Sequence, residues 1–157
     1  MTGFVIDRNV HSYLKNIKGD LSQTDFFYLC FLAGIASGKK DQTNSKGFSD
    51  TGTDKTWGNI DFKNNAELIA LSLVSAESKS MNYESKEDLE RQLSKYIDVQ
   101  ATSKLSREGG GIFNQYAAAG YKLLTKNISP PVRSEEFLSQ VIELIQKTFK
   151  KNQNWSQ

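Results

Sequence analysis

Cysteine and histidine each occur once in the 157 residues. An intramolecular disulfide is therefore impossible, and metal sites rich in histidine are excluded, as is any nucleophilic centre needing more than one imidazole. No stretch approaches the roughly 18 to 20 apolar residues needed to span a bilayer. The N-terminus also lacks the basic segment followed by an apolar stretch that marks a secretory leader. With a lone thiol, these absences point to the reducing cytoplasm and to no membrane contact. Charge of one sign is missing too: 20 basic side chains against 18 acidic ones leave a net +2. A nucleic-acid surface on such a chain has to be a local patch. The only two prolines are adjacent, Pro130-Pro131, and mark the end of a helix.

What the chain does contain is helical periodicity. Its length suits one domain, expected over 1–150 with a polar tail at 151–157, and the pattern predicts a mainly α protein of about six helices with a short N-terminal strand. Gly3-Phe4-Val5-Ile6 reads as that strand. Val10, Leu14 and Ile17 then give a first helix, stopped by Gly19-Asp20. Ser22-Gln23-Thr24-Asp25 reads as a capping box opening a second helix that runs to about Ser37. That helix carries Phe26, Phe27, Leu29, Cys30, Phe31, Leu32, Ala33 and Ile35, so it has almost no polar face and must be covered all round. A second subunit is one way to cover it, which makes Phe27, Phe31 and Ile35 candidates for a homo-oligomer interface.

Residues 38–59 are polar and glycine-rich and read as a long loop. Leu68, Ile69, Leu71, Leu73 and Val74 predict a third helix. Ser85 and Asp88 predict a capped fourth helix with a stripe of Leu89, Leu93, Tyr96 and Ile97. Gly109-Gly110-Gly111 predicts a break, since each glycine costs a helix about 1 kcal/mol relative to alanine. Phe113, Tyr116, Ala117, Gly120 and Leu124 form one side of a fifth helix whose small residues permit close approach of another backbone. Ser134 with Glu135 and Glu136 opens a final amphipathic helix marked by Leu138, Val141, Ile142, Ile145 and Phe149.

Motifs for chemistry are weak. His11 with Cys30 would make a nucleophilic dyad, but a thiol in so apolar a run has its pKa raised, and a core cysteine is the better reading. Gly34 to Lys40 is one residue short of a phosphate loop, lacks the Ser or Thr after the lysine and follows a helix instead of a strand. Gly38 there reads as a helix C-cap, with Lys39 and Lys40 near the helix's negative end. Glu84, Glu87, Asp88 and Glu90, with Lys86 and Arg91, read as a solvated helix face. No catalytic residue, metal site or cofactor is expected.

Phe4 and Ile6 in the strand, Val10, Leu14 and Ile17 in the first helix, Ser22 to Asp25 in the turn and Leu29 to Ile35 in the second helix resemble the ribbon-helix-helix unit of small DNA-binding proteins. That resemblance implies an obligate dimer whose paired strands enter the major groove. Gly3, Val5 and Asp7 depart from it, occupying positions that usually carry base-reading side chains. Over residues 4 to 125 the chain is similar to the DndE family of DNA sulfur-modification proteins, through Asn59 to Lys63, Leu68 to Leu71 and Phe113 to Leu124. This likeness implies an oligomeric, non-enzymatic accessory of a bacterial phosphorothioation system that binds DNA, nicked duplex included, through its backbone. Arg8, Lys15, Lys18, Lys39 and Lys40 are the candidate phosphate contacts. The alternative is a subunit that docks onto a larger protein partner without touching nucleic acid.

Overall fold

The computed structural model describes residues 5–7, 9–41, 48–50, 66–78, 84–101, 104–130 and 132–154. Among them the elements run β1 (Val5–Asp7), α1 (Val10–Lys15), β2 (Ile17–Lys18), α2 (Gln23–Ser37), β3 (Phe48–Asp50), α3 (Ala66–Glu77), α4 (Lys86–Tyr96), α5 (Arg107–Asn127), β4 (Val132–Arg133) and α6 (Ser134–Asn154). The mainly helical class expected from periodicity is the one observed. Contacts gather these elements into two compact units where one domain was expected. One holds α3, α4 and α5 as far as Phe113; the other holds the chain from β1 to β3 and everything from Asn114 onward.

The second unit is built around α2. The Ser22 hydroxyl accepts from the Asp25 backbone N–H at 3.1 Å and donates to the Asp25 carboxylate, so one amide left over at the helix start is satisfied within the turn. At the other end Gly38 adopts φ 63°, and its N–H returns to the Ile35 carbonyl at 3.0 Å. This is the left-handed cap that a residue with a Cβ adopts reluctantly. Between the caps, Phe26, Phe27, Cys30, Phe31 and Ala33 are fully buried, packed mainly by α6 and α5. Phe27 and Phe31 are thus covered inside the chain and Ile35 is half-buried, so of the two ways of covering α2 the chain itself supplies the cover of Phe27 and Phe31, which leaves neither side chain exposed as an oligomer contact. Each fully buried phenylalanine contributes roughly 1.5 to 3 kcal/mol.

Helix α5 crosses α2 at two glycines. A Cβ on Gly120 would run into the Cys30 carbonyl, and one on Gly34 would run into the Tyr116 carbonyl. Backbones therefore approach where side chains ordinarily separate helices. Beside the crossing, the Tyr13 ring lies 5.7 Å from Phe26 and 6.0 Å from Tyr121, and Phe26 lies 6.0 Å from Phe137. This ring cluster ties α1, α2, α5 and α6 together.

Several expectations fail where a distant partner outweighs local preference. Ile17 is not helical: α1 ends at Lys15, and Ile17–Lys18 pairs in parallel with Val132–Arg133, leaving Ile17 6% exposed. Within the expected loop at 38–59, Phe48–Asp50 is a strand, antiparallel to β1 in the register Val5↔Asp50, Ile6↔Ser49 and Asp7↔Phe48. The N-terminal strand thus has a partner in its own chain, where a ribbon-helix-helix unit would pair it with a second copy. Residues 42–47 and 51–59 of that loop, and the Asn59 to Lys63 stretch of the family likeness, lie outside the described residues. The expected tail at 151–157 begins as helix, since α6 continues to Asn154. On α6, Phe137 and Val141 are buried, whereas Ile142 and Phe149 are 53% and 50% exposed.

In the first unit, α4 opens as expected, with the Ser85 hydroxyl accepting from the Asp88 N–H at 3.2 Å. Its solvated face carries Lys86–Glu90 and Arg91–Asp88 ion pairs at 3.5 and 3.3 Å. Ile69, Ala70 and Leu73 of α3 are fully buried. The three glycines at 109–111 lie inside α5 and do not break it. Ser106 caps that helix by accepting from the Gly109 N–H at 3.0 Å. A Cβ on Gly109 would come within 2.5 Å of the Tyr96 carbonyl oxygen, so close packing demands glycine there.

Candidate functional site

In the second unit an open groove of about 750 Å³ lies between the end of α2, the C-terminal half of α5 and the C-terminal half of α6. Among the described residues six lysines line it: Lys39 and Lys40 just past α2, Lys122 and Lys126 on α5, and Lys147 and Lys151 on α6. All six are exposed. Asp41 is, among the described residues, the single carboxylate in the lining. A chain with a net charge of only +2 thus concentrates cations at one place.

The geometry follows from helix spacing. Lys122 and Lys126, like Lys147 and Lys151, are four residues apart, so each pair sits on one helix face about 6 Å apart along the axis. The turn after α2 brings the third pair in. Lys39 donates its backbone N–H to the Ser37 hydroxyl at 3.2 Å, the Lys40 ammonium lies 5.9 Å from the centre of the Tyr116 ring, and the Asp41 N–H donates to the Gln115 carbonyl at 3.0 Å. The segment after Gly38 is thereby laid along α5 and held there. Its carboxylate, on Asp41, forms an ion pair with Lys122.

The last carbonyls of α2 would ordinarily bring negative potential to this place. Three of them are occupied: Gly34 accepts from the Ser37 hydroxyl at 2.8 Å, Ile35 from the Gly38 N–H, and Ala36 from the Asn152 side-chain amide at 2.7 Å. These bonds reduce the helix-end charge that would oppose an incoming anion. Among the described residues the lining includes no aromatic side chain. Those residues offer ammonium groups for phosphates and no platform on which bases stack.

Of the residues expected to contact phosphate, the structure brings Lys39 and Lys40 into the groove. Lys15 closes α1 and Lys18 lies in β2; both are exposed and neither lines the groove. Arg8 is outside the described residues. Sequence reasoning missed Lys122, Lys126, Lys147 and Lys151. The signal for them is the spacing of Lys122-Leu-Leu-Thr-Lys126 and Lys147-Thr-Phe-Lys-Lys151, two lysine pairs late in two helices. What sequence does not show is that both helices end beside the end of α2.

Cys30 is fully buried, and burial pushes its thiol well above the ordinary range, which suits packing and not nucleophilic attack. Among the described residues no group of three or more His, Cys, Asp or Glu side chains is arranged to hold a metal ion, and no helix is long and apolar enough to cross a membrane. No protein-family model, curated protein or solved structure matches this chain.

Proposed function

We propose that the protein is a non-catalytic DNA-binding accessory that grips the phosphate backbone in the lysine-lined groove, with little preference for base sequence. The observation that carries this reading is the convergence, among the described residues, of six lysines and one carboxylate on one open groove. Phosphate contacts of this kind position a protein on DNA without reading bases. The likeness to the DndE family supplies the setting, a prokaryotic DNA-modification system of the phosphorothioation kind or a phage-defence system.

The test reverses charge on two walls of the groove. Lys126→Glu with Lys147→Glu is expected to weaken binding of a mixed-sequence duplex about 100-fold at about 0.1 M salt, near tenfold for each phosphate left without its lysine. Lys15→Glu, outside the groove, serves as the control and should change affinity far less. Equal losses from the groove and control variants would contradict the assignment.

One observation favours a second reading, a scaffold subunit of a larger complex: Ile142 and Phe149 are half exposed on α6. That reading takes over if neither intact nor nicked duplex is bound at about 50 mM salt, where backbone binding is strong.

A further inference from the structure

We infer that Asp41 is a built-in anion that occupies the Lys122 position of the groove and must be displaced before a DNA phosphate can use that lysine. The inference rests on the DNA-backbone reading above and assigns one residue of that groove a role in setting its affinity.

Three observations carry it. Among the described residues Asp41 is the sole carboxylate lining a groove of six lysines, and its side chain is ion-paired with Lys122. Its place is imposed by the fold, because its backbone N–H is bonded to the Gln115 carbonyl on α5 at 3.0 Å and the preceding Lys40 lies over the Tyr116 ring of the same helix. The pair is also accessible: the side chains of Lys122 and Asp41 are 60% and 30% exposed. A partly solvated ion pair contributes little to stability, so removing its carboxylate frees Lys122 without disturbing the core. A carboxylate and a phosphate oxygen present the same charge-assisted acceptor to an ammonium group, so the two anions compete for one cation. The Asp41 carboxylate thus lowers affinity and withholds one lysine from the backbone.

The salt dependence of duplex binding reports how many phosphates are neutralised, since each adds about 0.9 to the slope of log K against log salt. The experiment titrates a mixed-sequence duplex with the full chain and with Asp41→Asn, Asp20→Asn and the double variant Asp41→Asn/Lys122→Gln, over a range of salt. Asp20 is exposed and lies outside the groove, so its substitution makes the same change in net charge elsewhere. Asp41→Asn is expected to bind about three- to tenfold tighter than wild type and to steepen the slope by about 0.9 as Lys122 meets a phosphate. The double variant should return to the wild-type slope, and Asp20→Asn should stay near wild type in both measures.

If Asp41→Asn matches Asp20→Asn in affinity and slope while wild type binds duplex, the role of Asp41 is overturned and the DNA reading stands. If no variant binds even at low salt, both fall. Should Asp41→Asn lose its helical circular dichroism, Asp41→Ser repeats the comparison with a side chain that also carries no charge.

Discussion

At the scale of single residues, Tyr13 shows how one polar atom fixes a core. Its hydroxyl donates to the Ile128 carbonyl at 2.9 Å while its ring packs among Phe26, Tyr121 and Phe137. Burial is the first cause that pushes its ionisation well above the ordinary tyrosine range, with Cys30 and Tyr121 adding to the effect. Because the folded value is raised, the folded form holds its proton more tightly than the unfolded chain. The stability linked to Tyr13 is thus fully present below about pH 10 and is lost as pH climbs from there towards the folded value. Tyr13→Phe is expected to cost about 0.5 to 1.5 kcal/mol at neutral pH by deleting the bond to Ile128. It should also flatten the loss of stability above about pH 10 relative to wild type. Urea denaturation of both proteins across that range checks it, and parallel alkaline profiles would count against it. The same scale shows what sequence makes legible in the groove. Lys39 and Lys40 are readable because they follow a helix cap directly, whereas Asp41 gains its meaning only from Lys122, a residue 81 positions away in the chain.

At the scale of elements, local signals were readable and remote ones were not. Ser22, Gly38 and Ser85 each mark a helix end through a bond formed within a few residues, so their pattern is complete in the sequence. Ile17 and Phe48–Asp50 take their conformations from Val132 and from Val5–Asp7, which no local window contains. The glycine run at 109–111 misleads for a related reason. Propensity argues for a break, but Gly109 is required by the Tyr96 backbone and Ser106 caps the turn, so the helix persists. The glycines of α5 accordingly divide into two kinds. A Cβ added at Gly111 would meet nothing within 4 Å, whereas Gly120, with Gly34 opposite, sits against backbone. Gly111→Ala is expected to stabilise the protein by up to about 1 kcal/mol. Gly34→Ala and Gly120→Ala should each destabilise it by at least about 1 to 3 kcal/mol, because backbone cannot move aside as a side-chain tip can. Thermal unfolding of the three variants decides this, and a stable Gly120→Ala would mean that the two helices cross less closely than their glycines require.

At the scale of the whole molecule, a nearly balanced net charge coexists with a cluster of lysines in one groove. Under the proposed DNA-backbone function, binding should respond to salt as a cluster would and not as a net charge of +2 would. With the five groove lysines other than Lys122 each meeting a phosphate, the slope of log K against log salt is expected to be about −4.5. Fluorescence anisotropy at several salt concentrations measures it, and a slope shallower than about −2 would be incompatible with the groove as the contact surface. The pairing of Ile17–Lys18 with Val132–Arg133 has a different consequence, in the order of events during synthesis. Helix α2, apolar on nearly every side, leaves the ribosome about seventy to a hundred residues before α5 and α6, the helices that cover it. At about 5 to 20 residues per second that interval lasts up to about 20 s. For that time Phe26, Phe27 and Phe31 have no core to enter, and the nascent chain exposes the surface that chaperones bind and aggregation exploits.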